Sequence, residues 1–386
     1  MNKTKWETRL LGDICQIIAG GTPSRQEQKY YGGNIPWVKI GDMLQNPILE
    51  TEECITEEGL KNSSAKLLPK GTILISIFAT IGRTSVLGID ATTNQAIVGL
   101  ILNKKDLIPS YLKYYLDHSI NTLVQQSRGV AQNNINSKIL KNLQLPIPPI
   151  SIQGEIVAIL DQADAIRKRR QQAIEELNNL IPATFYDMFG DPVSNSKDWK
   201  TVKLGNVTKI NCPMVDPKEE RYQDLLHIAP NNISKVTGEI LPVNTAREDG
   251  LISGKFLFDE KCVLYSKIRP YLRKSALPDF VGLCSADMYP IHPSEDKMTR
   301  EFLWTLLLSE AFLLYTQSLP SRASIPKLNR TELSNYDTIL PPFSLQEAFS
   351  EKVKGILKLK AKYEHCTKEG EDLFNSLVQR AFKGEL

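Results

Sequence analysis

The 386-residue chain lacks the features that would announce a membrane protein, a metalloprotein or a nucleotide-using enzyme. No stretch approaches the roughly 18 continuous apolar residues of a membrane span, and the opening MNKTKWETRLLGD has no apolar core of a signal peptide. A cytoplasmic location is the expectation. The six cysteines (Cys15, Cys54, Cys212, Cys262, Cys284, Cys366) lie far apart without a CxxC pair, so neither a zinc site nor a redox motif is indicated. The four histidines (His118, His227, His292, His365) are scattered, and no cluster of histidine, cysteine or carboxylate residues has catalytic spacing. There is no GxxxxGK(S/T) phosphate loop, no GxGxxG after a strand, and no Asn-Pro-Pro-aromatic tetrapeptide of an adenine methyltransferase. Asn211-Cys212-Pro213-Met214 only approximates that tetrapeptide and reads as a loop. The net charge of +3 is too small to mark a nucleic-acid binder, so any DNA surface must come from local clustering.

What the chain does have is bulk and a repeat. With 41% hydrophobic and 24% charged residues it can fold into two or three ordinary domains. Trp6 opens WETRLLGDICQI and Trp199 opens WKTVKLGNVTKI, a shift of 199 − 6 = 193 that aligns Leu11, Gly12, Ile14 and Ile17 with Leu204, Gly205, Val207 and Ile210. Pro148, Pro149, Ser151 and Gln153 meet Pro341, Pro342, Ser344 and Gln346 at the same shift, as do Ile135, Asn136 and Leu140 with Leu328, Asn329 and Leu333. Mid-module the shift slips to 273 − 83 = 190, where KGTILISIFATIGRT aligns with EKCVLYSKIRPYLRK. Agreement is confined to apolar and structural positions, whereas Gly20 to Tyr31 and Asn211 to Tyr222 barely resemble each other. Two modules with one scaffold and different surfaces suit a protein whose halves bind different things.

Short β-rich runs, IPWVKI, GTILISIF, SVLGI and AIVGLIL, predict mostly β globular halves. One helix is expected late in each, PSYLKYYLDHSINTLVQQ with Leu112, Tyr115, Leu116 and Ile120 on one face, and TREFLWTLLLSEAFLLYTQ in the second copy. The loops after these helices are basic and amide-rich in both copies. Arginine and lysine suit phosphates or guanine, and asparagine and glutamine suit an adenine edge. The candidate DNA contacts are Arg25, Lys39, Arg83, Arg128, Gln132, Asn133, Asn134 and Lys138 in the first half. In the second they are Lys267, Arg269, Arg273, Arg322, Ser324, Lys327 and Asn329, with four cations surrounding Tyr271 in Lys267 to Lys274.

From Ser151 to about Phe189, Ile152, Ile156, Ile159, Ala163, Ile166, Ala173, Leu177 and Leu180 recur at spacings of three and four, a coiled-coil seam. Arg170 would form a polar layer in it, and Pro182 predicts a kink. Ser344 to about Phe382 repeats the pattern with Leu345, Phe349, Ile356, Leu359, Tyr363, Cys366, Leu373 and Leu377. Each helix would span roughly 50 to 60 Å, longer than a domain of this size needs, so the helices read as spacers. The expected architecture is α+β: two β-rich domains (1–147 and 191–340) alternating with two long helices (148–190 and 341–386) that pair as an antiparallel, pseudo-two-fold coiled coil. Pairing, or docking of partners, falls to Ile152, Ile156, Ile159, Ile166, Leu177, Leu345, Phe349, Ile356, Leu359 and Leu373.

Several stretches together resemble the specificity subunits of type I restriction-modification systems. They are Gly20-Gly21-Thr22-Pro23-Ser24 followed by Tyr30-Tyr31-Gly32-Gly33 and Ile35-Pro36-Trp37, then LPIPPISIQGEIVAILDQAD, ILPPFSLQEAF and the closing FKGEL. The second module departs from that pattern, since Asn211 to Tyr222 has no GGTPS or IPW equivalent. The resemblance implies a non-catalytic chain whose two target recognition domains each read half of a bipartite double-stranded DNA sequence. It implies helices that set the gap and bind two methyltransferase subunits, with motor-nuclease subunits completing the enzyme. No cofactor or metal would then belong to this chain; S-adenosylmethionine, ATP and Mg would act in the partners. The alternatives are a methyltransferase or nuclease carrying its own recognition domains, and a coiled-coil adaptor that binds only protein.

Overall fold

The computed structural model describes residues 6–78, 80–103, 106–127, 135–210, 213–320 and 326–386. They form a mixed α/β chain of two compact units, residues 1–169 with 367–386, and residues 170–366. Among the described residues no helix is long and apolar enough to cross a membrane.

In the first unit the apolar runs become a four-stranded antiparallel sheet in the order Cys15–Ala19, Ile97–Leu102, Ile73–Ser76, Thr84–Val86. Ile73, Leu74 and Ile75 are all fully buried, so both faces of that strand are covered and its sequence is a continuous rather than alternating apolar run. The helix Pro109–Ser127 lays Tyr111, Leu112, Leu116 and Leu123 onto this core. The strand Glu7–Leu10 pairs antiparallel with Gln144–Ile147, Thr8 facing Pro146.

The second unit repeats this plan. Its inner sheet runs Thr208–Lys209, Met288–Pro293, Val263–Ser266, Ser275–Ala276, and Thr201–Lys203 pairs antiparallel with Asp337–Ile339. Thr201 faces Ile339, so both partners of the Thr8 and Pro146 pair are displaced by 193 (201 − 8 and 339 − 146). Asn136 and Asn329 obey the same shift, and each caps a short helix, accepting at Oδ1 from Ile139 N and Glu332 N, both at 2.9 Å. The outer sheets differ. Among the described residues the first unit has three strands, Cys54–Ile55, Tyr31–Val38 and Thr92–Thr93; the second has four, Met214–Val215, Lys255–Phe258, Gly282–Cys284 and His227–Ile228. The expected single helix from Thr299 is instead two, Arg300–Leu308 and Glu310–Ser318. Ser309 breaks it by adopting extended backbone and capping the second helix through its hydroxyl, 3.2 Å from Phe312 N.

The long helices run Ile150–Phe189, continuing through Pro182, and Phe343–Lys383. In the first unit Ile156 and Leu160 share a cluster with Val378 and Ala381, and the Arg167 guanidinium contacts Glu371 at 3.1 Å and lies 4.9 Å over the Phe374 ring. In the second, Arg170 donates to the Cys366 carbonyl at 2.6 Å, and the Phe185 and Phe189 rings sit 5.7 and 5.3 Å from Phe349. Ile156 and Phe349 are buried, and Ile152, Leu177, Leu345 and Ile356 are partly so. Ile159, Ile166, Leu359 and Leu373, expected in the seam, are 40, 45, 45 and 61% exposed, and Leu180 is 46% exposed. The buried stripe instead takes Gln153, Leu160, Ile174 and Ile181, because each helix packs against its β domain as well as another helix.

Candidate nucleic-acid interface

In the first module the Gly20 to Arg25 turn is built by packing. A Cβ on Gly20 would lie 2.0 Å from the Asn94 carbonyl oxygen, and one on Gly21 would lie 2.2 Å from Ala65 N, so no other residue fits. The buried Trp37 indole donates to the Gly21 carbonyl at 3.0 Å, and the Tyr31 hydroxyl donates to Pro23 O at 2.6 Å. Arg25 lies over both rings, 4.5 Å from Tyr31 and 5.0 Å from Trp37, and pairs with Glu53 at 2.7 Å. Lys39 reaches Glu52 at 2.6 Å and the same Glu53 at 2.8 Å. Hydrogen bonds from Arg25, then from Lys39, hold the Glu53 carboxyl down to about 2. Two expected DNA contacts are therefore matched here by two carboxylates. The sequence does contain the adjacent Glu52 and Glu53, but nothing in it brings them to Arg25 and Lys39.

The second module gathers its cations differently. After the strand Val263–Ser266, Ile268 forms an antiparallel bridge with Lys327, framed by hydrogen bonds from Leu328 N to Lys267 O and from Arg269 N to Pro326 O, both 2.8 Å. Residues 58 to 60 positions apart in sequence thus become neighbours (327 − 269 = 58, 327 − 267 = 60). Arg269 (φ +49°, ψ +58°) and Arg273 (φ +50°, ψ +57°) both take the left-handed conformation and flank the single turn Pro270–Leu272. For a residue with a Cβ this costs about 1–2 kcal/mol apiece, so the surrounding contacts must impose it. Arg273 supplies part of that restraint: its Nε donates to Leu308 O at 2.8 Å and its guanidinium pairs with Glu310. These contacts turn Arg273 inward, where the sequence reading expected a DNA contact. Arg269 remains exposed, and Tyr271 is 49% exposed. Lys267 and Lys327 each stand 3.8 Å from Asp287, and Lys267 also donates to the Ala286 carbonyl.

Asn329 caps its helix through Oδ1, with Glu332 accepting from its backbone N at 2.9 Å, a structural task in addition to the DNA contact expected of it. Arg83 is half-buried and donates to Ile40 O at 3.3 Å. Lys138 is exposed on the helix Ser137–Lys141. Arg128, Gln132, Asn133, Asn134, Arg322 and Ser324 lie outside the described residues.

Known proteins of one family resemble the chain. Residues 3–176 match the family model of the type I restriction modification DNA specificity domain. The specificity subunit of the Escherichia coli type I restriction enzyme EcoDI is 32% identical over 193 residues. That match takes in 49% of this chain and only 42% of the relative, so the chain spans less than half of that protein's length. The MjaIX specificity subunit of Methanocaldococcus jannaschii is 24% identical over 382 residues, 92% of this chain and 87% of the relative. In fold, the chain is similar to the type I restriction-modification S subunit from M. genitalium, at TM-score 0.58 and 13% identity, covering 99% of this chain and 97% of that one. A chain from a structure describing assembly and conformational transition of a type I system gives TM-score 0.59 at 16% identity, covering 99% of each. The family resemblance drawn from the sequence is the one that the comparisons find.

Proposed function

We propose that the chain is the DNA sequence-specificity subunit of a type I restriction-modification enzyme and has no catalytic chemistry of its own. Residues 1–147 would read one half of a bipartite duplex target and residues 191–340 the other. The observation that carries this reading is a scaffold built twice at one register, from which outer sheets of three and four strands diverge. A repeated frame holds two readers alike, and unlike outer sheets let them read unlike half-sites.

The long helices would pair as an antiparallel coiled coil about a pseudo-two-fold axis and set the gap. Contacts support this: as the first helix's residue numbers rise from Arg170 to Phe189, their partners fall from Cys366 to Phe349. The helices would also bind two modification subunits, with motor-nuclease subunits joining them. Exposure supports this, because Ile166 and Leu359 are equivalent (359 − 166 = 193), as are Leu180 and Leu373 (373 − 180 = 193), and all four present aliphatic side chains to the surface. S-adenosylmethionine, ATP and Mg would act in those partners. Methylated sites mapped genome-wide, with and without the gene, test the reading. A two-part motif separated by an unspecified gap should vanish on deletion; an unchanged methylation pattern would refute it.

A further inference from the structure

We infer that the strained turn from Arg269 to Arg273, with Lys267 and Lys327 beside it, is where the second module grips the phosphodiester backbone of its DNA half-site. The inference rests on the DNA-reading function proposed above and assigns a place and a kind of contact to it.

Three observations converge. The turn is held rigidly: two left-handed arginines bracket it, Leu272 N and Arg273 N close it onto Arg269 O and Pro270 O at 2.9 Å each, and the bridge to Lys327 and the inward Arg273 fix its two sides. Strain in sparsely populated backbone survives only where the surroundings over-determine it, and such positions concentrate at binding sites. What the turn displays is an exposed arginine and a half-exposed tyrosine, with two lysines that share a single carboxylate, Asp287, at 3.8 Å. Three cations against one carboxylate leave an excess of positive charge, whereas the Arg25 and Lys39 cluster of the first module is balanced by Glu52 and Glu53.

The chemistry favours phosphate over base edges. Lysine is a point charge that suits a phosphate without a fixed hydrogen-bond pattern, and a rigid turn presents its groups with little ordering cost on binding. Arg269 and Lys327 would each take a phosphate, and the Tyr271 ring would rest on the sugar between them. Lys267, which also donates to Ala286 O and lies 5.8 Å over the Tyr289 ring, would contribute field rather than contact. Asp287 would oppose the strand and set how tightly it is held.

The test uses the full chain assembled with its modification subunits, binding a duplex that carries the methylated motif and a scrambled duplex across a range of salt. Arg269→Asn keeps a residue that tolerates the left-handed backbone, and Lys327→Gln removes the second charge. Each should weaken both duplexes equally, about eightfold at 0.1 M salt, and flatten the slope of log K against log salt by about 0.9. Asp287→Asn should tighten both, by about twofold or more, a change that a folding defect cannot mimic. Tyr271→Ala should weaken both duplexes while Tyr271→Phe does not. Parent-like affinity and slope in the Arg269→Asn, Lys327→Gln double variant, or no tightening in Asp287→Asn, would overturn the inference and leave the DNA reading standing. A loss confined to the cognate duplex would overturn the assignment to phosphate. A parent complex that binds neither duplex would overturn the DNA reading itself.

Discussion

Gln153 and Gln346, 193 positions apart, make the same three hydrogen bonds, each inside its own module. Gln153 donates from Nε2 to Pro148 O and Asp106 O, both at 2.9 Å, and accepts at Oε1 from Ile108 N at 2.9 Å. Gln346 donates to Pro341 O at 2.9 Å and Lys297 O at 3.0 Å, and accepts from Thr299 N at 3.0 Å. Both side chains are fully buried. Each amide ties the start of a long helix to the loop ahead of an earlier helix of its module, Pro109–Ser127 in the first and Arg300–Leu308 in the second, a task that needs donor and acceptor on one uncharged group. Replacing either glutamine by leucine should strand buried backbone groups and destabilise its module by about 3 kcal/mol. Equilibrium urea unfolding checks this; a loss below about 0.5 kcal/mol would show that the amide is dispensable.

The two capping asparagines should behave as a matched pair. Asn136→Ala and Asn329→Ala should each cost about 1 kcal/mol of stability and leave the recognised bases unchanged. Stability comes from the same unfolding curves, and base preference from the methylated motif. A changed base in the Asn329 variant would restore the DNA role that its sequence neighbourhood suggests.

Glu53 should give the first module an acid-sensitive contribution. Its carboxyl falls from an ordinary 4.5 to about 2 beside Arg25 and Lys39, so the folded state binds its proton less tightly than the unfolded chain does. The stabilisation is fully present above about pH 4.5 and is lost as pH drops towards 2. Because the side chain is 31% exposed, solvent screening limits the contribution to about 1 kcal/mol. In Glu53→Gln the urea midpoint measured from pH 7 to pH 2.5 should fall less steeply than in the parent.

The exposed aliphatic positions on the long helices should matter for assembly and not for folding. Ile166→Ser and Leu359→Ser should change stability by no more than about 0.5 kcal/mol and weaken binding of modification subunits. Sedimentation of the reconstituted complex reads this directly. Parent-like assembly in the double variant would place partner docking elsewhere.

The sequence made the scaffold legible and the interface only partly so, for one physical reason. Repeats such as Leu11 on Leu204, or Asn136 on Asn329, mark positions whose contacts lie inside a module and therefore survive duplication. Apolar spacing marks the long helices but cannot tell a seam from a wider stripe shared with a β domain, so it points Ile159, Ile166, Leu359 and Leu373 inward where the structure exposes them. Polar residues at buried positions, Gln153 above all, escape any count of apolar periodicity. At the interface, residue type identified cations but not their neighbours. Glu53 neutralises Arg25, and Leu308 and Glu310 occupy Arg273, through contacts 28 to 37 residues distant in sequence. The bridge joining Ile268 to Lys327 spans still more.

Replacing residues 1–147 with the corresponding domain of another specificity subunit, then mapping the methylated motif, tests the central claim most directly. The account predicts that one half of the motif changes while the other half and the gap stay as they were. A motif in which both halves change, or neither does, would contradict it.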